Sequence, residues 1–213
     1  MFWGLVLAHF LADYPLQNSW MVNAKRHWKG LLVHVSMHVV VMCLLAWGAW
    51  AEAWRYILVL AVIHYAIDTL KNFVNVQKPQ WVIGPYLFDQ ALHMLSIYWI
   101  ARWAGGLALP LGGVWQVYAV GFLIATHVWF ITERILYHAD PAYLVEVNAQ
   151  HWPRMLARAL GIAAILLGWR ALGGVTSAAL AVALPYRGPY RLRAAGVDIC
   201  VIVLTSVFML WVA

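Results

Sequence analysis

The stretch Tyr56-Ile57-Leu58-Val59-Leu60-Ala61-Val62-Ile63-His64-Tyr65-Ala66-Ile67-Asp68 decides how the chain is read. It is an unbroken apolar run that ends in two polar side chains four positions apart. Four apart on a helix is one turn, on one face. The same pair stands earlier as His9 and Asp13, and two further pairs follow the rule, His34/His38 and Asp89/His93. One offset of 55 relates them: 9 to 64, 13 to 68, 34 to 89 and 38 to 93.

The rest of the chain supplies the setting. Of 213 residues 65% are hydrophobic and 10% charged, and the mean hydropathy is +0.76. A soluble domain of this size would carry about a quarter charged residues. The apolar runs are long enough to cross a bilayer, and they are continuous rather than alternating, which argues against a barrel. We read an all-α, polytopic transmembrane helical bundle of about seven to eight spans. They fall near 2–16, 30–50, 55–74, 85–103, 114–137, 155–171, 173–185 and 196–213. The apolar start lacks a basic region and a small-residue cleavage site, so it reads as a first span. Cys43 and Cys200 lie in apolar runs and read as reduced packing residues. The net charge of +6 is a topology signal; no nucleic-acid-binding module accompanies it.

Lysines and arginines set an orientation. Lys25, Arg26, Lys29, Lys71, Lys78, Arg134, Arg154, Arg158, Arg187, Arg191 and Arg193 fall in alternate loops, which places those loops in the cytoplasm and the N-terminus outside. Trp47, Trp50, Trp54, Trp99, Trp103 and Trp115 mark the outer ends of the spans, and Trp20, Trp28, Trp81 and Trp152 the inner ends. The expected membrane is a bacterial inner membrane.

Residues 1–50 align with 56–105 without a gap, Leu5 falling on Leu60 and His34 on Asp89. Each copy is a helical hairpin, so both share one orientation, and a pseudo-two-fold axis along the membrane normal is expected. The expected organisation is a metal-site four-helix repeat unit over 1–105, followed by helices over 106–213 that complete the bundle. The latter could also form a lipid-access groove or a homodimer face.

All four pairs should lie in one layer near the cytoplasmic face. Intramembrane Asp is expensive and usually functional. His9, Asp13, His34, His38, His64, Asp68, Asp89 and His93 are therefore the candidate metal ligands. Helical bundles build metal centres from such inward-facing pairs. Ligands of His and Asp without Cys suit zinc, manganese or iron; zinc is favoured, as one ion or two. A polar network without metal is the alternative. Lys25, Arg26, Lys71 and Lys78 stand at the mouth of the layer, where they could hold a phosphate or carboxylate. The positive-inside rule accounts for them equally well. Gln17 and Gln90 could orient ligands. His127 and Glu133 could add a ligand or an acid/base, although no offset ties them to the set. His27, His138 and His151 read as loop or interfacial histidines.

Several short motifs occur here in order: His9-Phe-Leu-Ala-Asp13-Tyr-Pro-Leu-Gln17, Lys25, Leu-Leu-Val-His34, His64-Tyr-Ala-Ile-Asp68-Thr-Leu-Lys71 and Phe88-Asp89-Gln90-Ala-Leu-His93. Over about residues 5–95 this pattern resembles an uncharacterised bacterial membrane family, a domain of unknown function. It is also similar to the group of membrane-bound metal-dependent hydrolases, and that resemblance implies a hydrolase. The expected activity is attack by a metal-activated water on a lipid or lipid-like, phosphate-containing substrate. Asp13 or Asp68 would serve as the general base. Two other classes stay open: a metal-ion or small-solute transporter, and a membrane protein with a purely structural metal site.

Overall fold

A computed structural model describes residues 1–168 and 190–213. It is helical, with no strand among the described residues. The expected span 173–185 and Arg187 lie outside them. The chain divides into two compact units, Met1–Gln116 and Val117–Ala213.

The first unit is built by helices α1 (Phe2–Asp13), α2 (Ser19–Ala24), α3 (Trp28–Leu45), α4 (Trp50–Gln77) and α5 (Ile83–Trp103). The buried positions of α4 are Ala53, Tyr56, Ile57, Leu60, Ala61, His64 and Asp68, a stripe with helical spacing. Those of α5 include Tyr86, Asp89, His93, Ile97 and Ile100, and those of α3 include His34, His38 and Met42. Each stripe thus carries its polar pair inwards. Helix α1 is buried at eight of its twelve positions, so it runs inside the unit. It packs on α3 and α5, and α4 packs on the same two, closing a ring of four helices around the stripes. Short connections at 46–49 and 78–82 make consecutive helices antiparallel neighbours. Gly48, at φ 89°, makes the first of these turns in the left-handed region that glycine tolerates.

Helix α2 is the one element that departs from a plain hairpin. Asn18 caps it, its side chain accepting from Met21 N–H at 2.9 Å. The helix then returns close to α3 at Gly30, where any Cβ would overlap the Ala24 carbonyl. Gly30→Ala is expected to destabilise the chain by about 1–3 kcal/mol through overpacking against backbone. A thermal melt in detergent checks this, and an unchanged Tm would contradict the close approach.

The second unit contains most of α6 (Val114–Leu136), then α7 (Pro141–Ala149), α8 (His151–Leu166) and α9 (Arg191–Val212). Its apolar core joins Ala125, Ile162, Val201, Ile202 and Met209. Helix α6 carries a π turn at Ile124–Val128. Asp140 caps α7, accepting from Tyr143 N–H at 3.1 Å, with Pro141 in its first turn.

Helices α3, α4, α6 and α9 are long and apolar enough to cross a membrane. The 28 residues of α4 rise about 42 Å, beyond the ~30 Å of a bilayer core. The other expected spans among the described residues coincide with helices that fall short of that measure. Helix α1 rises only about 18 Å, α8 has 16 residues, and α5 is diluted by Asp89, Gln90, His93 and Arg102. The burial pattern is inverted relative to a soluble protein: Val40, Leu44, Leu58, Val62, Leu204 and Val207 are exposed, while His, Asp, Glu and Arg are buried. The ten tryptophans expected at span ends are all exposed as well. These features fit an integral membrane protein.

Candidate metal centre

The ring of four helices stacks its inward side chains in three tiers, one turn apart. On α1 the order is Leu5, His9, Asp13, and on α4 it is Leu60, His64, Asp68. The antiparallel α3 and α5 run the other way, as His34, His38, Met42 and Asp89, His93, Ile97. The middle tier is four imidazoles. His38 and His64 lie 3.9 Å apart between ring centroids, His64 and His93 4.2 Å, and His9 and His93 4.8 Å. The third tier is apolar. Leu5, Met42, Leu60 and Ile97, with Ser96, meet the four middle-tier histidines around a cavity of about 10 Å³, the size of one water.

The close donor spacings run within the polar tier and between it and the middle tier. His34 Nε2 and His38 Nε2 each lie 3.1 Å from Asp13 Oδ1. His34 Nε2, His64 Nε2 and Asp68 Oδ2 form a triangle with edges of 3.4, 3.4 and 3.5 Å. Two ligands at 2.0–2.1 Å from a tetrahedral zinc lie about 3.3–3.4 Å apart. The triangle therefore has the edge lengths of a coordination polyhedron. Two donor groups could hold an ion, Asp13/His34/His38/His64 and His64/Asp68/His93, and His64 belongs to both.

Unpaired atoms point the same way. His9 Nε2, His34 Nδ1, Asp68 Oδ2, Asp89 Oδ1 and His93 Nε2 are buried without a hydrogen bond. Leaving such a group unsatisfied costs about 1–3 kcal/mol. Five would together cost about as much as a typical domain's whole stability. His93 is also oriented: its Nδ1–H donates to the Asp89 carbonyl at 2.9 Å, leaving the Nε2 lone pair free to face inwards.

Not every candidate joins the donor groups. His9 Nε2 lies 3.5 Å from Asp13 Oδ2 but belongs to neither group. Asp89 is also outside both: its Oδ2 accepts from Lys71 Nζ at 2.7 Å and from Gln90 Nε2 at 3.0 Å. Lys71 is thus held by an ion pair beside the centre. Lys25 Nζ donates to Gln17 Oε1 at 2.6 Å, and the Lys25 carbonyl accepts from Asn72 Nδ2 at 2.7 Å, tying the α2 segment to the end of α4. Arg26 and Lys78 are exposed. Between α4 and α5 an apolar groove of about 200 Å³ has Lys71 and Asp89 among its lining, with Leu70, Val74, Phe88 and Leu92.

The second unit holds a buried ionic cluster that sequence reading misses. Asp198 accepts from Arg154 Nε at 3.0 Å and from Arg158 Nε at 2.8 Å. Glu133 accepts from Arg154 Nη2 at 2.8 Å, Arg158 Nη2 at 3.2 Å and the Tyr143 hydroxyl at 2.5 Å. Arg158 Nη2 also contacts Asp198. Glu133, Asp198 and both arginines are buried. Arg158 Nη1 further donates to the Ala125 carbonyl inside the π turn, at 3.1 Å. Burial and the Glu133 carboxylate push the Tyr143 phenol well above its usual range, so it remains a donor. Arg154 and Arg158 therefore act as internal cross-links between helices, where their sequence reads as loop charge. The available signal is their spacing of four within an apolar helix, matched by the lone acid of the last run, Asp198. The second unit places His127 beside Thr126, its Nδ1 3.0 Å from that hydroxyl.

The chain belongs to the family described as a protein of unknown function (DUF3307), whose model matches residues 1–112. The match covers all four candidate ligand pairs and stops short of the buried ionic cluster. No curated protein and no solved structure matches the chain.

Proposed function

We propose that this DUF3307 protein is an integral-membrane, metal-dependent hydrolase acting on a phosphate-containing amphiphile. The observation that carries the reading is the convergence of buried His and Asp donors at coordination spacing, with several lone pairs unsatisfied, inside apolar helices. A divalent ion there supplies Lewis acidity and lowers the pKa of water towards neutrality; zinc is favoured, with manganese or iron also suited to the donors. His34, His38 and His64 with Asp13 or Asp68 would hold it. Whichever of Asp13 and Asp68 is not engaged by the ion would serve as the general base. In the reaction a water oxygen bonds to phosphorus, the ester oxygen leaves, and the water's proton passes through the carboxylate to the leaving group.

Two further observations support the substrate class. The α4–α5 groove is apolar and reaches Lys71 at the edge of the centre, which suits a lipid chain with its headgroup directed inwards. The polar tier also lies on the side of the connections carrying Lys25, Arg26 and Lys78, which would face the cytoplasm of a bacterial inner membrane with the N-terminus outside. The tandem repeat is part of the same proposal. It is supported by the start of α3 at Trp28 and α5 at Ile83, 55 positions on, and by the cavity pairs Leu5/Leu60 and Met42/Ile97 at the same offset.

The test is turnover by the full chain reconstituted in lipid nanodiscs with phospholipid and polyprenyl diphosphate substrates. Released headgroup or phosphate should disappear on chelation and return with the ion. Ion uptake into proteoliposomes without any lipid turnover would instead establish the transporter reading.

A further inference from the structure

The offset of 55 makes a definite statement about the second half of the centre. Carried through it, Asp13, His34 and His38 become Asp68, Asp89 and His93, and His64 exchanges with His9. The first set converges as a complete donor group, while of its counterpart only Asp68 and His93 converge, together with His64. Two counterparts stay outside it, His9 and Asp89, and Asp89 has its Oδ2 held by Lys71 Nζ at 2.7 Å and Gln90 Nε2 at 3.0 Å. In the first copy Lys71 corresponds to Leu16 and Gln90 to Val35, neither of which can hold a carboxylate. The diversion of Asp89 is therefore built into the second copy alone.

We infer that the Lys71 ammonium takes the place of a second metal ion, so that the centre holds one divalent ion and Lys71 sets that number. The inference rests on the metal reading above and deepens it. Charge favours the same count. Asp13, Asp68 and Asp89 bring three negative charges to the centre. Lys71 and one divalent ion bring three positive ones, with the imidazoles neutral. A second ion would leave a layer walled by apolar helices with an excess of two charges, which is unfavourable where water is excluded. Lys71 can play this part because its ion pair is sheltered: the Asp89 side chain is 2% exposed and that of Lys71 21%. Lys25, the next cation, is only partly buried, and its ammonium is engaged by Gln17 at the rim.

The test is metal stoichiometry on the purified full chain in detergent, loaded with excess zinc and desalted. The wild-type chain is expected to retain one zinc. Lys71→Met, which releases Asp89, is expected to retain two, and Lys71→Arg, which keeps the charge, one. Two zinc ions in the wild type, or one in Lys71→Met, would overturn the inference and leave the metal reading standing. No zinc in the wild type would overturn the metal reading itself. A readout independent of any variant is the manganese-loaded wild type by electron paramagnetic resonance. The six-line spectrum of an isolated ion is expected, and an exchange-coupled pair would overturn the inference.

Discussion

His64→Ala is expected to reduce bound metal to less than about a tenth of the wild-type content. His64 is common to both donor groups, and its Nε2 completes the triangle with His34 and Asp68. Loss of a group that merely orients a ligand already weakens metal sites about 10–100-fold, and a shared ligand should exceed that. Elemental analysis of purified protein reads the result. The control is His27→Ala, which removes an exposed imidazole just before α3 and should leave the metal content unchanged. Full metal occupancy in His64→Ala would sink the proposed centre, because His64 is the donor common to both groups.

The second large effect is expected in the other unit. Asp198→Asn keeps the shape of the side chain and removes its charge, leaving Glu133 as the acid that Arg154 and Arg158 both still touch. Removing one partner of a buried ionic cluster costs about 3–5 kcal/mol. For a chain of this size that is a fall in Tm on the order of 10 °C. The same variant should bind the usual amount of metal when kept cold, because the donors all lie in the first unit. An unchanged Tm would mean that the cluster does not hold its helices together.

These two sites differ in how openly the sequence declares them. The four ligand pairs can be read directly. Spacing by four puts two residues on one face, and an Asp or His in an apolar run has few reasons to be there. Helix existence follows from the same runs. Partner choice does not: spacing puts Asp89 on the inner face of α5 but cannot say that Lys71, 18 positions earlier, will claim it. The ionic cluster is harder still. Arg154 and Arg158 lie near a helix start, where cations usually mark an interface, and their acid Asp198 is 44 and 40 positions away. Only the packing of α8 on α9 reveals them as buried. The length of α1, by contrast, is legible in a single residue that the expected span 2–16 overran. Its apolar run continues to Leu16, but Pro15 has no N–H to extend a helix, and the helix ends at Asp13.

The apolar tier of Leu5, Met42, Leu60 and Ile97 has a consequence for the cell as a whole. All four side chains are buried, and they close one end of the polar column about a turn, or ~6 Å, beyond the histidines. A column of ionisable groups running right through a helix bundle would be a proton wire, and every copy would drain the gradient its membrane maintains. Here the wire is cut. Along this column the first unit is electrically a dead end, and the bilayer around it can stay insulating.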